Sequence, residues 1–236
     1  MPVIGIDIGG TKIRGILWIG QQAVRAHEFA TPDNEKDFAR EILELVSALS
    51  QQRVLDGIGI GAAGIIDKTT LVSSPNIPFI EQFDFRPLWP RSIPLLVDND
   101  ARCCARAELL RGAGRGAKSL FALTIGTGVG RAFGRRGKIV KLKKFEYPEP
   151  WEKEYQAARN RRDDGELASF LASKLAPLLQ PFESEVIVIG GGVMDRRGFL
   201  RKLRISLKAH GVRAEIRRAR LGKNAVAIGA ALLLEG

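Results

Sequence analysis

Short apolar segments in the first part of the chain are separated by glycine-rich turns. Residues 3–8 show the alternation of a strand, residues 9–12 make a tight turn, and residues 13–19 return as the second strand of a hairpin. Residues 23–30 are consistent with a third strand. Apolar residues at helical spacing then predict one helix that ends near residue 52.

The same pattern of strand and turn starts again in the middle of the chain. Residues 120–125 form an apolar strand that runs into a glycine- and threonine-rich turn at residues 126–130. A second start at this distance predicts an internal duplication of roughly 110 to 120 residues, the size of one domain. We therefore predict one lobe at 1–117, joined by a C-terminal helix at 224–235, and a second lobe at 118–236, shortened after Gly134.

Glycine turns of this kind can hold phosphate groups. Their backbone N–H groups bind phosphate oxygens, and the missing side chains permit the approach. A hairpin turn also needs glycine for its own backbone conformation, so a single turn carries little information. Two turns at matching places in two halves favour phosphate binding, and a third, at residues 190–192, follows the apolar strand 186–189.

Residues 56–66 form a glycine-rich strand with one match to the dinucleotide-binding fingerprint, at Gly59, Gly61 and Gly64. That fingerprint requires a helix at its third glycine. The chain continues here into a loop at residues 74–78, whose two prolines forbid a helix, and residues 79–90 are also loop-like. We interpret the glycines instead as positions where the strand backbone closely approaches a ligand.

Residues 98–100, Asp-Asn-Asp, lie between an apolar strand at 93–97 and a predicted helix at 101–110. A carboxylate at such an edge can act as a general base. Asp and Asn are also favoured helix N-caps, so both interpretations remain open. Asn76 stands between two prolines, where it either bonds its own turn or binds a sugar hydroxyl.

Composition narrows the classes of function. The 236-residue chain carries a net charge of +11, concentrated at residues 131–144 and 196–223. Its few aromatic residues are not interleaved with the basic ones, which disfavours nucleic acid as a partner. Cys103 and Cys104 are neighbours and make a poor disulfide pair, which indicates a reducing, cytoplasmic setting. No signal peptide is recognised, and no apolar run approaches the roughly 18 residues of a membrane helix.

The second half predicts further elements with less regular spacing. The basic segment 131–144 is interpreted as strand, and residues 146–154, which contain two prolines, as loop. The remaining predictions are helices at 163–179, 197–209 and 224–234 and a strand at 214–219.

Taken in order, these blocks resemble the ROK family of sugar kinases, within the actin/hexokinase/Hsp70 superfamily. The resemblance covers residues 1–134 and 183–236. It rests on Gly5-Ile6-Asp7-Ile8-Gly9-Gly10-Thr11-Lys12, Gly61-Ala62-Ala63-Gly64, Ser74-Pro75-Asn76-Ile77-Pro78, Asp98-Asn99-Asp100-Ala101, Gly126-Thr127-Gly128-Val129-Gly130 and Val188-Ile189-Gly190-Gly191-Gly192-Val193. It implies an α/β, two-lobed actin-like ATPase (ribonuclease H-like) fold with duplicated βββαβαβα units around a cleft.

The resemblance also implies roles for individual residues. Asp100 is the expected general base, and Asp7 is expected to face Mg²⁺ through phosphate or water. The residues expected to bind ATP and its phosphates are Asp7, Gly9, Gly10, Thr11, Lys12, Gly126, Thr127, Gly128, Gly130, Gly190, Gly191 and Gly192. The residues expected to bind the sugar are Gly64, Asn76, Asn99, Asp100 and Glu149, which leaves Asp98 as the capping or structural member.

This chain also departs from the family pattern. Many members carry a Gly-Glu-x-Gly-His block and a cysteine-rich zinc site after the second phosphate turn, and this chain has neither, so no zinc is expected. Counting forward puts Glu149 at the place of the family's sugar-binding Glu and Glu152 at that of its His. A solvated acidic loop is the competing interpretation for both. Arg131 stands where the family usually has a glycine, which predicts a different geometry on the phosphate side.

These expectations combine into one leading hypothesis, an ATP- and Mg²⁺-dependent kinase that phosphorylates a hydroxyl of a hexose or amino sugar, as a homodimer. Phosphoryl transfer is mostly positioning and charge stabilisation, so glycine turns and one carboxylate meet its requirements. The alternatives are a non-catalytic sugar or nucleotide binder and a nucleic-acid-binding protein. Polyphosphate remains open as the phosphoryl donor.

Overall fold

The computed structural model describes residues 1–145 and 147–235, so Glu146, within the predicted loop, and Gly236 lie outside the described residues. The chain divides into two compact units. Unit 1 comprises Met1–Ala107 and Lys223–Gly236, and unit 2 comprises Glu108–Gly222.

Strands and helices alternate through the described residues. The strands are β1 (Val3–Ile8), β2 (Lys12–Ile19), β3 (Gln22–Ala30), β4 (Gly57–Ala62), β5 (Ile65–Asp67), β6 (Thr70–Ser73), β7 (Glu81–Asp84), β8 (Leu95–Asn99), β9 (Ser119–Ile125), β10 (Val129–Arg135), β11 (Lys138–Val140), β12 (Val186–Gly190) and β13 (Glu215–Arg218). The α-helices are α1 (Glu35–Ser50), α2 (Asp100–Arg111), α3 (Glu152–Asn160), α4 (Asp164–Leu179), α5 (Phe199–Ala209) and α6 (Ala225–Ala231). None of these helices is both long enough and apolar enough to span a membrane.

Each unit has a five-stranded sheet of the same topology. The order is β3-β2-β1-β4-β8 in unit 1 and β11-β10-β9-β12-β13 in unit 2. In both, the first strand is central, with an antiparallel hairpin on one side and two parallel strands on the other. The predicted duplication is therefore confirmed. In unit 1, however, a three-stranded sheet, β5-β6-β7, connects β4 to β8 where the repeat would place a helix.

The glycines of the fourth strand meet a helix, which corrects their interpretation as ligand contacts. A Cβ at Gly59 would lie 1.9 Å from the carbonyl oxygen of Ala230 in α6, and one at Gly5 would lie 2.0 Å from that of Ala227. A Cβ at Gly61 would likewise lie 2.7 Å from the Val226 side chain and 3.1 Å from that of Cys103. These strands lack side chains here because the backbone of α6 packs directly on the sheet.

Two other sequence predictions are wrong. Residues 79–90, expected to be loop, contain β7 and a 3₁₀ turn, Arg86–Leu88. The predicted loop at 146–154 ends earlier, because α3 begins at Glu152. The turn after the two prolines is short, and Trp151 and Tyr155 bury their rings in the core of unit 2 immediately afterwards.

Candidate functional site

The candidate residues of unit 1 gather at one edge of its sheet. Strands β1, β4 and β8 are parallel neighbours, so their carboxyl ends lie side by side. These ends carry Gly9, Gly64 and Asp100 respectively. In open α/β sheets, ligands bind outside the carboxyl ends of the strands.

The turn after β1 lies against the proline-flanked loop. Gly9 N donates to Lys12 O at 3.1 Å, and Thr31 Oγ1 donates to Gly9 O at 2.7 Å, which fixes the turn. A Cβ at Gly10 would lie 2.4 Å from the carbonyl oxygen of Asn76, so only glycine fits. Both residues line a cavity of about 350 Å³. The exposed Lys12 side chain pairs with Glu28 at 3.2 Å.

Asn99 joins the end of β8 to Gly64 and to the start of α2. Its Oδ1 accepts hydrogen bonds from Ala101 N at 3.0 Å and Arg102 N at 3.4 Å, which satisfies two free amides of the first helical turn. Its Nδ2 donates to Gly64 O at 3.0 Å. Gly64 has φ of +150°, and a Cβ there would lie 2.2 Å from the carbonyl oxygen of Ser73. The capping role left open in the sequence thus belongs to Asn99.

Asp98 is the structural member of the Asp-Asn-Asp segment. Its side chain is 3% exposed and pairs with Arg102 and, at 3.0 Å, with Arg106, both on α2. Because one buried carboxylate meets two guanidinium groups, Asp98 ties the end of β8 to the first two turns of the helix. It makes no capping bond to the helix among the described contacts.

Asp7 and Asp100 interact electrostatically at this edge. Burial, together with the negative charge of Asp100, raises the pKa of Asp7 to about 8, against the opposing charge of Arg14. Burial also raises the pKa of Asp100, against the hydrogen bond from Ala101 N at 2.8 Å and the charge of Arg102. Two carboxyl groups whose ionised forms are disfavoured would gain from a nearby cation. Mg²⁺ typically uses one or two carboxylates together with substrate phosphates, so the Asp7 carboxylate fits a place near that ion.

Two glycine turns of unit 2 also lie side by side. One joins β9 to β10, with Gly126 N donating to Gly128 O at 3.0 Å. The other follows β12, the parallel neighbour of β9. Gly191, in the second turn, has φ of +92°, and a Cβ there would lie 2.4 Å from the carbonyl oxygen of Ile125. The turns predicted to hold the phosphates and the adenosine are therefore adjacent within this unit.

Helix α3 supports the first of these turns. Tyr155 Oη and Arg159 Nη1 each donate to Gly126 O at 2.7 Å. Glu152 Oε2 accepts from Val129 N at 3.2 Å at the other end of the turn. The backbone of the turn is thus held at both ends by side chains of one helix. Sequence reasoning missed Tyr155 and Arg159, because the helix that carries them was not predicted.

Arg131, on β10 just after the turn, is buried, and α3 supplies its closest ionic partner. The guanidinium is 2% exposed, its Nη2 lies 3.0 Å from Glu152 Oε1, and it donates to Tyr147 O at 2.7 Å. Glu149 Oε1 lies 3.5 Å from Nη1. The solvated-loop interpretation is wrong for Glu152, whose side chain is 13% exposed. Glu149, predicted to bind the sugar, is 30% exposed and lies beside Arg131.

Within the part of the chain that the structure describes, no three His, Cys, Asp or Glu side chains gather as a metal-binding group. Cys103 and Cys104 are both buried.

The two sheets and their glycine turns define a duplicated α/β protein with candidate ligand-binding edges on both halves. The model of the ROK family matches residues 3–141 and 153–236, so the chain belongs to the ROK family. The family and fold expected from the sequence are thereby confirmed.

Named relatives and a solved structure agree with this family. A glucokinase of Streptomyces coelicolor is 32% identical over 135 residues, 54% of this chain and 41% of that protein. A beta-glucoside kinase of Klebsiella pneumoniae is 26% identical over 98% of this chain and 95% of that protein. The match thus spans less than half of the Streptomyces protein. The fold resembles that of a Streptomyces griseus ROK glucokinase solved with glucose and AMPPNP, with a TM-score of 0.83, 23% identity and 99% of each chain covered.

Proposed function

We propose that this protein is an ATP-dependent sugar kinase, which transfers the γ-phosphoryl group of ATP to a hydroxyl of a hexose or an amino sugar. The observation that carries the proposal is the convergence of Gly9, Gly64 and Asp100 at one sheet edge, with a raised pKa at Asp100. The names of the relatives, glucokinase and beta-glucoside kinase, support the substrate class.

Asp100 is the proposed base. It accepts the proton of the attacking sugar hydroxyl as the oxygen bonds to the γ-phosphorus and ADP leaves. A carboxylate with a raised pKa holds that proton better than an ordinary one, which suits general-base work near neutral pH. Asn99 and Gly64 are fixed to each other by a 3.0 Å hydrogen bond, so they offer a rigid wall for sugar hydroxyls, with Asn76 nearby on its own loop.

The glycine turns are proposed to hold the nucleotide. In unit 1, residues 9–12 and Asp7 face the phosphates. In unit 2, residues 126–130 take phosphate oxygens and residues 190–192 lie by the adenosine. Mg²⁺, bound near Asp7 through phosphate or water, would neutralise charge on the transferring group. The positive charge of Mg²⁺ would also favour ionisation of Asp7.

Glu149 keeps its proposed contact with the sugar alongside its place beside Arg131. Its side chain is 30% exposed, so one carboxylate oxygen can accept a hydrogen bond from a hydroxyl. Glu149→Gln is expected to raise the KM for sugar and leave the KM for ATP unchanged. An unchanged KM for sugar would remove Glu149 from the proposed site.

The decisive experiment is a panel of hexoses and amino sugars assayed with ATP, or with polyphosphate, and Mg²⁺. Asp100→Asn is expected to reduce kcat by at least 100-fold, in line with the usual contribution of a general base. Asp67→Asn, an exposed carboxylate on β5, is the matched control and should retain activity. Full activity in Asp100→Asn refutes the assigned base. Thermal shifts with sugar or nucleotide but no phosphorylation of any sugar favour the non-catalytic binder.

A homodimer and a cytoplasmic setting complete the proposal. Cys103 and Cys104 are adjacent in the sequence and buried, so they make a poor disulfide pair, which supports a reducing compartment. Light scattering of the purified chain tests the dimer, and a monomer at micromolar concentration would contradict it.

A further inference from the structure

A second cavity, on unit 2, has a wall dominated by arginines. Its volume is about 670 Å³, and Arg111, Arg115, Arg217 and Arg220 line it together with glycine, alanine and leucine. None of the described residues that line it is acidic. None belongs to the turns proposed to hold ATP, so this cavity is not absorbed by the proposed function.

One buried carboxylate fixes both walls of this arginine cavity. Glu108, which has no solvent exposure, accepts a hydrogen bond at Oε2 from Ala113 N at 2.7 Å. Its Oε1 accepts from Arg220 N and Leu221 N, both at 2.9 Å. The segment after α2 and the segment after β13 are thereby tied to the same side chain. The cavity is consequently preformed, which limits the ordering cost of binding a ligand.

The positive charge facing the cavity is only partly compensated. Arg217 donates to both oxygens of Glu215, at 2.9 and 2.6 Å, and to Ala113 O at 2.8 Å, so it is fixed and paired. Arg115 and Arg220 are exposed, and neither makes an ion pair with any described residue. Two guanidinium groups without an ion pair, on two separate segments that line one cavity, suit a ligand with more than one negative charge. The planar fork of a guanidinium also matches phosphate geometry.

We propose that the arginine cavity binds a polyanion that carries phosphate groups in tandem, a short polyphosphate or a phosphorylated small molecule. Arg115 and Arg220 contribute the charge, and Arg217 contributes a fixed edge to the wall. The site does not depend on the proposed kinase activity and stands whether or not the glycine turns bind ATP.

The test is a titration of the full chain with inorganic tripolyphosphate by isothermal calorimetry. The double variant Arg115→Gln/Arg220→Gln is expected to bind one equivalent fewer than the wild type, or to bind at least 10-fold more weakly. The wild type and the double variant would both bind any tripolyphosphate held by the glycine turns, so the difference between their titrations measures binding in the cavity alone. Inorganic phosphate should bind more weakly than tripolyphosphate, because it engages only one guanidinium at a time.

The matched control is Arg201→Gln/Lys208→Gln, which removes the same two charges from exposed positions of α5 in the same unit. Its binding should equal that of the wild type. The proposal is overturned if the cavity variant binds as the wild type does, or if the control loses as much affinity. Circular dichroism checks that each variant is folded. Arg220→Lys keeps the charge but lacks the planar fork of the guanidinium, so its affinity for tripolyphosphate should lie between those of the wild type and the double variant. Kinase assays on the same proteins test the proposed function independently of this site.

Discussion

Replacing Glu152 with glutamine should destabilise unit 2, because it leaves the buried guanidinium of Arg131 without its closest carboxylate. Arg131 is 2% exposed, and the distance from its Nη2 to Glu152 Oε1 is 3.0 Å. Removing one partner of a buried ion pair costs about 3 to 5 kcal/mol. Glu149 remains 3.5 Å away, so we expect a loss near the lower end of that range.

The measurement is urea unfolding of both proteins, followed by circular dichroism and tryptophan fluorescence. A loss of about 3 kcal/mol corresponds to a decrease in Tm of about 6 to 12 °C for a chain of this size. Glu154→Gln is the matched control, two residues along the same helix. Its side chain is 65% exposed and lies 3.7 Å from Lys174, so that substitution should cost less than about 0.5 kcal/mol.

Glu152 also acts as a positioning residue for the turn, which gives a second readout. Its Oε2 accepts from Val129 N, so Glu152→Gln weakens one end of the 126–130 turn. If that turn holds ATP, the KM for ATP should rise several-fold while the KM for sugar stays the same. The reasoning fails if Glu152→Gln unfolds at the same urea concentration as Glu154→Gln. Equal rises of both KM values would show general damage rather than positioning.

Two further predictions concern unit 1. Gly59→Ala should lower the free energy of unfolding by at least about 2 kcal/mol, because its methyl group would lie 1.9 Å from Ala230 O and would displace α6 from the sheet. The control is Gly165→Ala in α4 of unit 2, where the added methyl group has ordinary contact distances and should stabilise the protein by about 0.5 to 1 kcal/mol. Equal unfolding midpoints for the two variants would contradict this prediction. Asp7 has a folded-state pKa of about 8 against 3.8 ordinarily, so the folded protein binds the extra proton between these values. In metal-free buffer the contribution of this proton to stability should be complete below pH 3.8 and lost as the pH rises to about 8. The Tm difference between wild type and Asp7→Asn should therefore change with pH over this range, and a constant difference would refute the interpretation.

The elements with a strong local signal were predictable from the sequence. The hairpin of β1 and β2 and the turn after β9 were predicted because apolar alternation and glycine determine them within a few residues. Asp98, Asn99 and Asp100 were placed correctly at the junction of a strand and a helix, but the sequence left open which of them caps the helix. Choosing Asn99 as the cap requires knowing that Asp98 is buried against α2, and no local pattern contains that information.

Contacts between distant segments account for the wrong predictions. Gly59 looked like a ligand contact because a bare strand backbone suits a ligand and a helix equally well. Only the packing of α6, more than 150 residues later in the chain, decides between them. Helix α3 was missed for a different reason. Pro148 and Pro150 correctly indicate irregular backbone, but the helix begins immediately after them.

The buried Arg131 links two departures of this chain from its family. The family model matches residues 3–141 and 153–236, which leaves residues 142–152 unmatched. Among the described residues, the three partners of Arg131 are the carbonyl of Tyr147 and the carboxylates of Glu149 and Glu152, and all of them lie in that unmatched segment. The family resemblance places Arg131 where the family usually has glycine. A buried arginine at this position would be severely destabilising without its partners, because removing an unpaired charge from water costs a large free energy. The arginine and the unmatched segment are therefore mutually dependent, and Arg131→Gly should tolerate Glu152→Gln far better than the wild type does. A double-mutant cycle on the free energy of unfolding measures this coupling, which should be at least about 1 kcal/mol, and strict additivity would refute it.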